Sequence, residues 1–348
     1  MSSANKTKCE CGCYVTKSNM TMHKKTKKHE KLIKNKTNIN LWDDEERPCV
    51  ATPLEYFEVQ DFIKDKILTP TQLNNECKKL IKYADTIHEN KTSFVGNKLL
   101  YHFQMLNLMK CANKNISFYD LITDPNNKDK YDKHYQDTIK RKRTGTMTNR
   151  LYEAWRINKG SIVFFKASQA MYLYKKYNGK KVLDFTMGWG GRMLGAWALG
   201  LDYVGIDTNI NMKPAYDNMI KLLTNYDISI GRTSPKITII WSSCLDVDYS
   251  KLNYDCVLTS PPYVNLEQYE CMELWKNKDD FYSNFMLPVF NKVYDNLKIG
   301  HVCLNISPAM YNDFNNYITI QPNEEIDLKQ QLGKAVKKAK DMIYIYKK

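Results

Sequence analysis

The sequence lacks any long apolar run and any pattern typical of an exported protein. No stretch approaches the ~18–20 consecutive apolar residues of a membrane-spanning helix, so we expect no segment to cross a membrane. No signal peptide is recognisable, and most of the ten cysteines stand singly among apolar residues. These absences argue against a disulfide framework, and we expect a reducing intracellular compartment, the cytoplasm or the nucleus.

Negative charge is scarce relative to positive charge. The 348 residues include 52 lysines and arginines against 38 aspartates and glutamates, which gives a net charge of +14. An excess of this size indicates a polyanionic partner, most often nucleic acid, although a lysine-rich surface that only confers solubility is the alternative.

One basic cluster stands beside hydroxyl groups and a glycine in the middle of the chain. Such a run can grip phosphates, and a solvated loop is an equally good interpretation. Its members are Lys140, Arg141, Lys142, Arg143 and Arg150.

The N-terminal segment carries the spacing C-x-C-x11-H-x5-H among many lysines. Two thiolates and two imidazoles form a normal tetrahedral zinc set, so the pattern predicts a structural zinc ion and resembles a shortened zinc finger. A disordered basic tail is the alternative, and Cys13 competes as a ligand. The segment is too short to bury a core and would be unfolded without its metal. The four predicted ligands are Cys9, Cys11, His23 and His29.

Composition and periodicity divide the chain into four segments. A helix is predicted to begin with Thr69 as N-cap, Pro70 as the first helical residue and Gln72 closing a capping box. The polar stretch 120–140 is expected to be a loop or an exposed helix. The segments are the zinc-finger-like module 1–36, a linker 37–52, a mainly helical region 53–158 with a possible role in nucleic-acid recognition, and an α/β domain 159–348.

The α/β domain is organised around a glycine turn. An apolar strand over 181–183 leads into the turn 184–192, and a helix that follows ends at Gly200. Glycines at 188, 190 and 191 have no Cβ, so a ligand can lie against the backbone there. Strands alternate with helices from about residue 160 onward, which predicts a mainly parallel, doubly wound sheet.

Two acidic residues indicate which ligand would bind at the glycine turn. Asp207 ends the second strand, where an acid accepts hydrogen bonds from ribose hydroxyls. Asp184 ends the first strand, where it would repel a pyrophosphate and attract an ammonium group. S-adenosylmethionine combines a ribose with an amino acid and therefore fits both acids.

A second motif, Ser260-Pro261-Pro262-Tyr263, follows a predicted strand on the same sheet edge. The two prolines remove two N–H donors, which leaves the Ser260 hydroxyl, the Pro261 carbonyl and the Tyr263 ring. Two acceptors and a stacking face suit a planar base with an exocyclic NH2 group. A Pro-Pro turn with no role beyond ending a strand is the alternative.

The two motifs together resemble the S-adenosylmethionine-dependent amino-methyltransferases of DNA, which act on N6 of adenine or N4 of cytosine. The resemblance covers roughly residues 160–348 and implies a Rossmann-like class I methyltransferase fold. It assigns the target base to Ser260, Pro261, Pro262 and Tyr263. It assigns the cofactor to Phe164, Phe165, Asp184, Thr186, Gly188, Gly190, Asp207 and, near the adenine, Cys244.

The resemblance implies methyl transfer to a base that is flipped out of duplex DNA. Ser-Pro-Pro-Tyr leans towards cytosine, with adenine still open. An RNA base methyltransferase and a nucleic-acid-binding protein with a lapsed catalytic domain are the alternatives. The pairing of a zinc-finger-like module with this domain resembles proteins of large DNA viruses of eukaryotes. The sequence does not indicate an oligomeric state or a recognition sequence.

Overall fold

A computed structural model describes most of the chain, in two compact units that span Met1–Pro53 and Leu54–Lys348. The described residues are 6–8, 14–16, 24–25, 57–87, 93–112, 116–141, 144–159, 163–264, 271, 275–327 and 342–348.

The first unit contains one short antiparallel strand pair, β1 (Lys6–Lys8) with β2 (Tyr14–Thr16). The predicted zinc ligands, at positions 9, 11, 23 and 29, lie outside the described residues, as does Cys13. The zinc ion therefore stays a prediction.

The second unit begins with helices, as the sequence predicts for this region. Thr69 caps the second helix, because its backbone N–H donates to Gln72 Oε1 (2.8 Å) and its Oγ1 accepts from the Gln72 N–H (3.3 Å). This confirms the predicted capping box. The helices are α1 (Val59–Lys64), α2 (Pro70–Thr86), α3 (Asn97–Met109), α4 (Phe118–Thr123), α5 (Lys128–Lys140) and α6 (Met147–Lys159).

The stretch 120–140 is more ordered and more buried than its polar composition predicts. It contains the end of α4 and all of α5, whose Tyr131 and Tyr135 are 2% and 7% exposed. The two rings stack on each other, with centroids 6.2 Å apart. A helix, one of the two expected forms, is therefore confirmed for α5, but one of its faces is buried, because tyrosines four residues apart supply an apolar helix face.

A seven-stranded sheet forms the centre of the second unit, in the order β5-β4-β3-β6-β7-β9-β8. The five strands from β5 to β7 are parallel, and β9 is antiparallel to both neighbours. This is the Rossmann-like arrangement that the sequence predicts. The strands are β3 (Lys181–Asp184), β4 (Asp202–Asp207), β5 (Ile237–Trp241), β6 (Cys256–Thr259), β7 (His301–Ile306), β8 (Glu324–Asp327) and β9 (Met342–Lys347).

Further helices connect the strands. The helix after the glycine turn ends at Gly200, whose φ of 73° confirms the predicted glycine stop. None of the described helices has the length and apolar character that crossing a membrane requires. The helices are α7 (Ala167–Lys176), α8 (Gly191–Leu199), α9 (Lys213–Ser229), α10 (Lys278–Phe281), a π-helical turn (Tyr282–Met286), α11 (Leu287–Asn296) and α12 (Pro308–Phe314).

The helical region and the sheet share one hydrophobic core. Leu80 of α2 and Leu100 of α3 are fully buried in the same cluster as Leu194 of α8. The structure therefore has no division between the predicted segments 53–158 and 159–348, and helices α1 to α6 belong to the compact unit that contains the sheet.

A buried acid joins α9 to α8. Asp227 has no exposed surface, accepts from Trp197 Nε1 at 2.8 Å, and pairs with Arg232 at 2.8 Å. Arg232 also donates to the carbonyl oxygen of Ala198 at 3.1 Å. This network satisfies both carboxylate oxygens and the last carbonyls of α8.

We expect Asp227→Ala to lower the free energy of unfolding by about 3–5 kcal/mol, because it leaves a buried indole N–H and a guanidinium without their partner. Asp217 on the same helix pairs with Lys213 at 2.8 Å, with side chains 57% and 49% exposed. Asp217→Ala is the matched control and should cost about 0–1 kcal/mol. Urea denaturation measures both, and equal losses would contradict the assignment.

Candidate active site

A cavity of about 760 Å³ lies at the carboxyl ends of β3, β4, β6 and β7. Strand order reverses at β3, since the chain runs from β3 to β4 and β5 on one side and to β6 and β7 on the other. Ligands of open α/β sheets bind at such a point. Residues from both predicted motifs and from helices α2, α3 and α6 line this one cavity.

The glycine loop has the backbone that its sequence predicts. Gly188 and Gly190 have φ angles of 53° and 92°, in the left-handed region that favours glycine. A Cβ added at Gly191 would lie 1.9 Å from the carbonyl oxygen of Phe165, so this position requires close backbone approach. A Cβ at Gly188 would meet no protein atom closer than Thr186 O at 4.0 Å. The loop therefore leaves open space beside Gly188, which lines the cavity.

Asp184 forms a buried ion pair below this loop. Its Oδ2 accepts from Arg192 Nε at 2.6 Å and from the Tyr203 hydroxyl at 2.7 Å, and the residue has no exposed surface. Arg192 also donates to the carbonyl oxygen of Thr186 and lies 5.2 Å from the centre of the Phe165 ring. Asp184 supports the loop and is not on the cavity lining. Its predicted contact with an ammonium group stays a prediction.

Asp207 lies at the end of β4 and lines the cavity. Its two oxygens accept from the Gly188 N–H at 3.0 Å and the Asn209 N–H at 2.9 Å, which ties the glycine loop to the second strand. Burial raises the pKa of Asp207 to about 6, against the opposing effect of these two bonds. The side-chain oxygen Oδ1 of Asn209, a residue only 4% exposed, is buried and has no partner among the described residues.

The segment before α7 supplies aromatic walls. Phe164 is 8% exposed, lines the cavity, and packs edge-on against Tyr101 of α3 and against Trp189 of the loop, with centroids 4.8 and 6.4 Å away. Phe165 and Thr186 also line the cavity. The structure therefore brings these predicted cofactor residues together.

Cys244 follows β5 and also lines the cavity. Burial raises the pKa of its thiol to about 12, so the group stays neutral at ordinary pH. Ser243 lines the cavity too. This part of the wall is therefore neutral.

The four residues of the second motif line the cavity beyond the end of β6. Asn305 near the end of β7 donates from Nδ2 to Ser260 Oγ at 3.0 Å and is 7% exposed. Two further aromatic residues, Trp275 and Phe285, also line the cavity, and their ring centroids lie 5.1 Å apart. The lining residues of the motif are Ser260, Pro261, Pro262 and Tyr263.

The helical region contributes cations to the cavity lining, in addition to Lys166 and Arg192 of the α/β part. Lys79 of α2 and Lys98 of α3 line the cavity with side chains 61% and 67% exposed, on either side of the buried Glu76. The predicted basic cluster lies elsewhere, since none of its described members lines the cavity. Arg150 donates to the carbonyl oxygen of Thr138 at 3.2 Å and so closes the end of α5.

Of the other members of that cluster, only two are described, and neither lines the cavity. Lys140 and Arg141 end α5 and are exposed, whereas positions 142 and 143 lie outside the described residues. A role of the cluster in binding phosphate stays a prediction. Sequence reasoning missed Lys79, Lys98, Arg192 and Asn305, because their positions in the site depend on packing between distant segments.

Solved structures of several methyltransferases are similar to the chain. No protein-family model matches the sequence, and no curated protein matches it. An rRNA methylase from Streptococcus thermophilus is 12% identical with a TM-score of 0.33, over 54% of this chain and 99% of its own. The N-methyltransferase NodS from Bradyrhizobium japonicum WM9 is 9% identical with a TM-score of 0.33, over 52% and 93%.

A third solved structure is similar to the same extent. Magnesium protoporphyrin IX methyltransferase from Synechocystis PCC 6803, with bound SAM, is 10% identical with a TM-score of 0.33, over 56% of this chain and 90% of its own. These TM-scores are low, and the interpretation of the site depends on the residues that line the cavity.

We expect Gly188→Ala to weaken S-adenosylmethionine binding at least tenfold, because the new Cβ enters the space beside the loop. The left-handed backbone costs about 1–2 kcal/mol of stability in addition. Gly231 has a φ of 67° and nothing within 4 Å of an added Cβ, so Gly231→Ala is the control for backbone strain. Calorimetry measures binding and thermal melting measures stability. Unchanged binding in Gly188→Ala would place the ligand elsewhere.

Proposed function

We propose that the chain transfers a methyl group from S-adenosylmethionine to the exocyclic amino group of a flipped base in DNA, at N4 of cytosine or N6 of adenine. The observation that carries the proposal is the single cavity that joins the glycine loop and Asp207 to the Ser260–Tyr263 motif. A donor site and an acceptor site must share one space for direct transfer.

The residues at the glycine loop fit S-adenosylmethionine. The loop leaves open space at Gly188, Asp207 offers carboxylate oxygens to ribose hydroxyls, and Asn209 holds a buried oxygen without a described partner. Aromatic side chains at 164 and 189 supply apolar walls. When bound, this cofactor supplies a methyl group on a positively charged sulfur.

At the other motif, the chain's own groups orient the target base. Ser260 Oγ and the Pro261 carbonyl accept the two hydrogens of an amino group, and Tyr263 stacks on the ring. With both hydrogens held in the base plane, the nitrogen lone pair points above that plane, where it can bond to a methyl carbon as the methyl–sulfur bond breaks and leaves its electron pair on sulfur. The nitrogen that gains the methyl group loses one proton along these hydrogen bonds towards water.

The positive net charge of the chain favours nucleic acid as its substrate. The chain has a net charge of +14, and the exposed Lys79 and Lys98 border the cavity where a strand with a flipped base would enter. Lysines near an opening attract phosphates without reading sequence. RNA carries the same phosphates and amino groups, so it is the second polymer to test.

The product test uses unmethylated DNA made by amplification, an unmodified RNA transcript, S-adenosylmethionine and the purified chain. Digestion to nucleosides and mass spectrometry should find N4-methylcytosine or N6-methyladenine in DNA. We expect Tyr263→Ala to lower transfer roughly 10- to 100-fold, since stacking contributes about 1–3 kcal/mol per base. Tyr263→Phe keeps the ring and should stay near wild type.

Three outcomes would change the proposal. Product in RNA alone would move the activity to RNA. Measurable cofactor binding with no methylated nucleoside in either polymer would contradict base methylation. Neither binding nor product would favour a nucleic-acid-binding protein with a lapsed catalytic domain.

We expect cofactor affinity to fall as pH drops through about 6, the pKa of Asp207. Only the ionised carboxylate accepts from both ribose hydroxyls, so the affinity at pH 5 should be about tenfold below that at pH 7.5. Asp207→Asn should show weaker binding that is nearly independent of pH across this window. Calorimetry at both pH values measures the affinity of the wild type and of Asp207→Asn. If Asp207→Asn shows the same pH dependence as the wild type, the Asp207 carboxyl is not its cause.

The unliganded protein should respond to pH in the opposite sense. Because burial raises the folded-state pKa of Asp207 above its ordinary value, its stabilising contribution is complete below the ordinary value near 3.8 and is lost as pH rises through about 6.

A further inference from the structure

Asn305 is a buried amide at the acceptor end of the cavity, on the strand next to the Ser-Pro-Pro-Tyr motif. In the parallel pair of β6 and β7, Thr259 is opposite Leu304, so the next residues along, Ser260 and Asn305, lie side by side. Asn305 is 7% exposed and lines the cavity. It is thus a polar side chain with little access to bulk water, inside the proposed base pocket.

Two hydrogen bonds hold the Ser260 hydroxyl against Asn305. Asn305 Nδ2 donates to Ser260 Oγ at 3.0 Å, and the Ser260 hydroxyl donates to the Asn305 backbone oxygen at 3.4 Å. A serine hydroxyl has one donor and two acceptor positions. These bonds use the donor and one acceptor position, so Oγ keeps one acceptor position and no free hydrogen.

The other end of the same amide is unsatisfied. Asn305 Oδ1 is buried and accepts no hydrogen bond from any residue in the described part of the chain. A buried acceptor without a partner costs roughly 1–3 kcal/mol. A ligand that donates a hydrogen there would recover that free energy, and an exocyclic amino group is such a donor.

We propose that Asn305 is a positioning and specificity-determining residue of the base pocket. It fixes the Ser260 hydroxyl as an acceptor through Nδ2, and through Oδ1 it offers the pocket a second side-chain acceptor for an amino group. A base with a carbonyl oxygen in that place would meet acceptors alone and would be rejected. This inference rests on the proposed function.

The test compares Asn305→Leu, which removes both polar ends at similar size, with Asn305→Asp. The aspartate keeps the side-chain acceptor and replaces the Nδ2 donor by an oxygen to which the Ser260 hydroxyl can donate. The assay is methyl transfer to amplified DNA, or to the RNA transcript if that is the substrate. We expect Asn305→Leu to lower kcat roughly 10- to 100-fold, with cofactor affinity within about twofold of wild type. Asn305→Asp should recover activity to within about tenfold of wild type. Asn312→Leu, at an exposed position on α12, is the control for an added leucine.

A double-mutant cycle with Ser260→Ala separates positioning from a merely structural role. If Asn305 acts through Ser260, the double variant should be within about threefold of the worse single variant. The inference would be overturned if the losses of activity in the two single variants multiplied in the double variant. It would also be overturned if Asn305→Leu had the kcat and KM of the wild type. Loss of cofactor binding in both Asn305 variants would also overturn it, since the residue would then serve the fold. A wild-type protein that methylates neither polymer would instead refute the proposed function.

Discussion

The buried ion pair between Asp184 and Arg192 is the interaction on which the site depends. Removing two charges from water costs several kcal/mol per ion, and further hydrogen bonds offset part of that cost. The bonds to the carboxylate all fall on Oδ2, whereas the buried Oδ1 has no partner among the described residues. Here Tyr203 donates to the carboxylate, and the guanidinium donates to the Thr186 carbonyl and lies against the Phe165 ring. The ion pair therefore links the end of the first strand to the loop and to the segment before α7.

The segments around this ion pair are also closely packed. The Phe165 carbonyl lies so close to Gly191 that only glycine fits, and α8 begins at that residue. Leu80 and Leu194 are buried in one hydrophobic cluster, and Phe165 packs against that cluster. The helical region consequently cannot separate from the sheet without exposing both the core and the cavity wall that α2 and α3 provide.

Local patterns in the sequence were enough to predict the capped helix at Thr69, the glycine stop at Gly200 and the order of strands and helices, because each depends on neighbouring residues. They also predicted that Asp207 and Ser260 would reach one edge, since parallel strands end together. They did not predict Asn305, which lies 45 residues after Ser260 and has no motif of its own. Short, polar β8 was missed for a similar reason: its pairing with β9 is visible only in the folded sheet.

The same contrast explains why the donor end of the cavity is better defined than the acceptor end. On the proposed function, the donor combines neutral ribose hydroxyls with a charged amino acid group, and Asp207 can accept hydrogen bonds from the ribose hydroxyls. Cytosine and adenine, by comparison, both present an amino group beside a ring nitrogen, so Ser260 and Asn305 treat them alike. Discrimination between one ring and two then depends on the width of the cavity, whose lining includes the aromatic side chains Trp275 and Phe285. The preference for a base is thus a matter of packing volume, whereas the preference for an amino group is a matter of hydrogen-bond polarity.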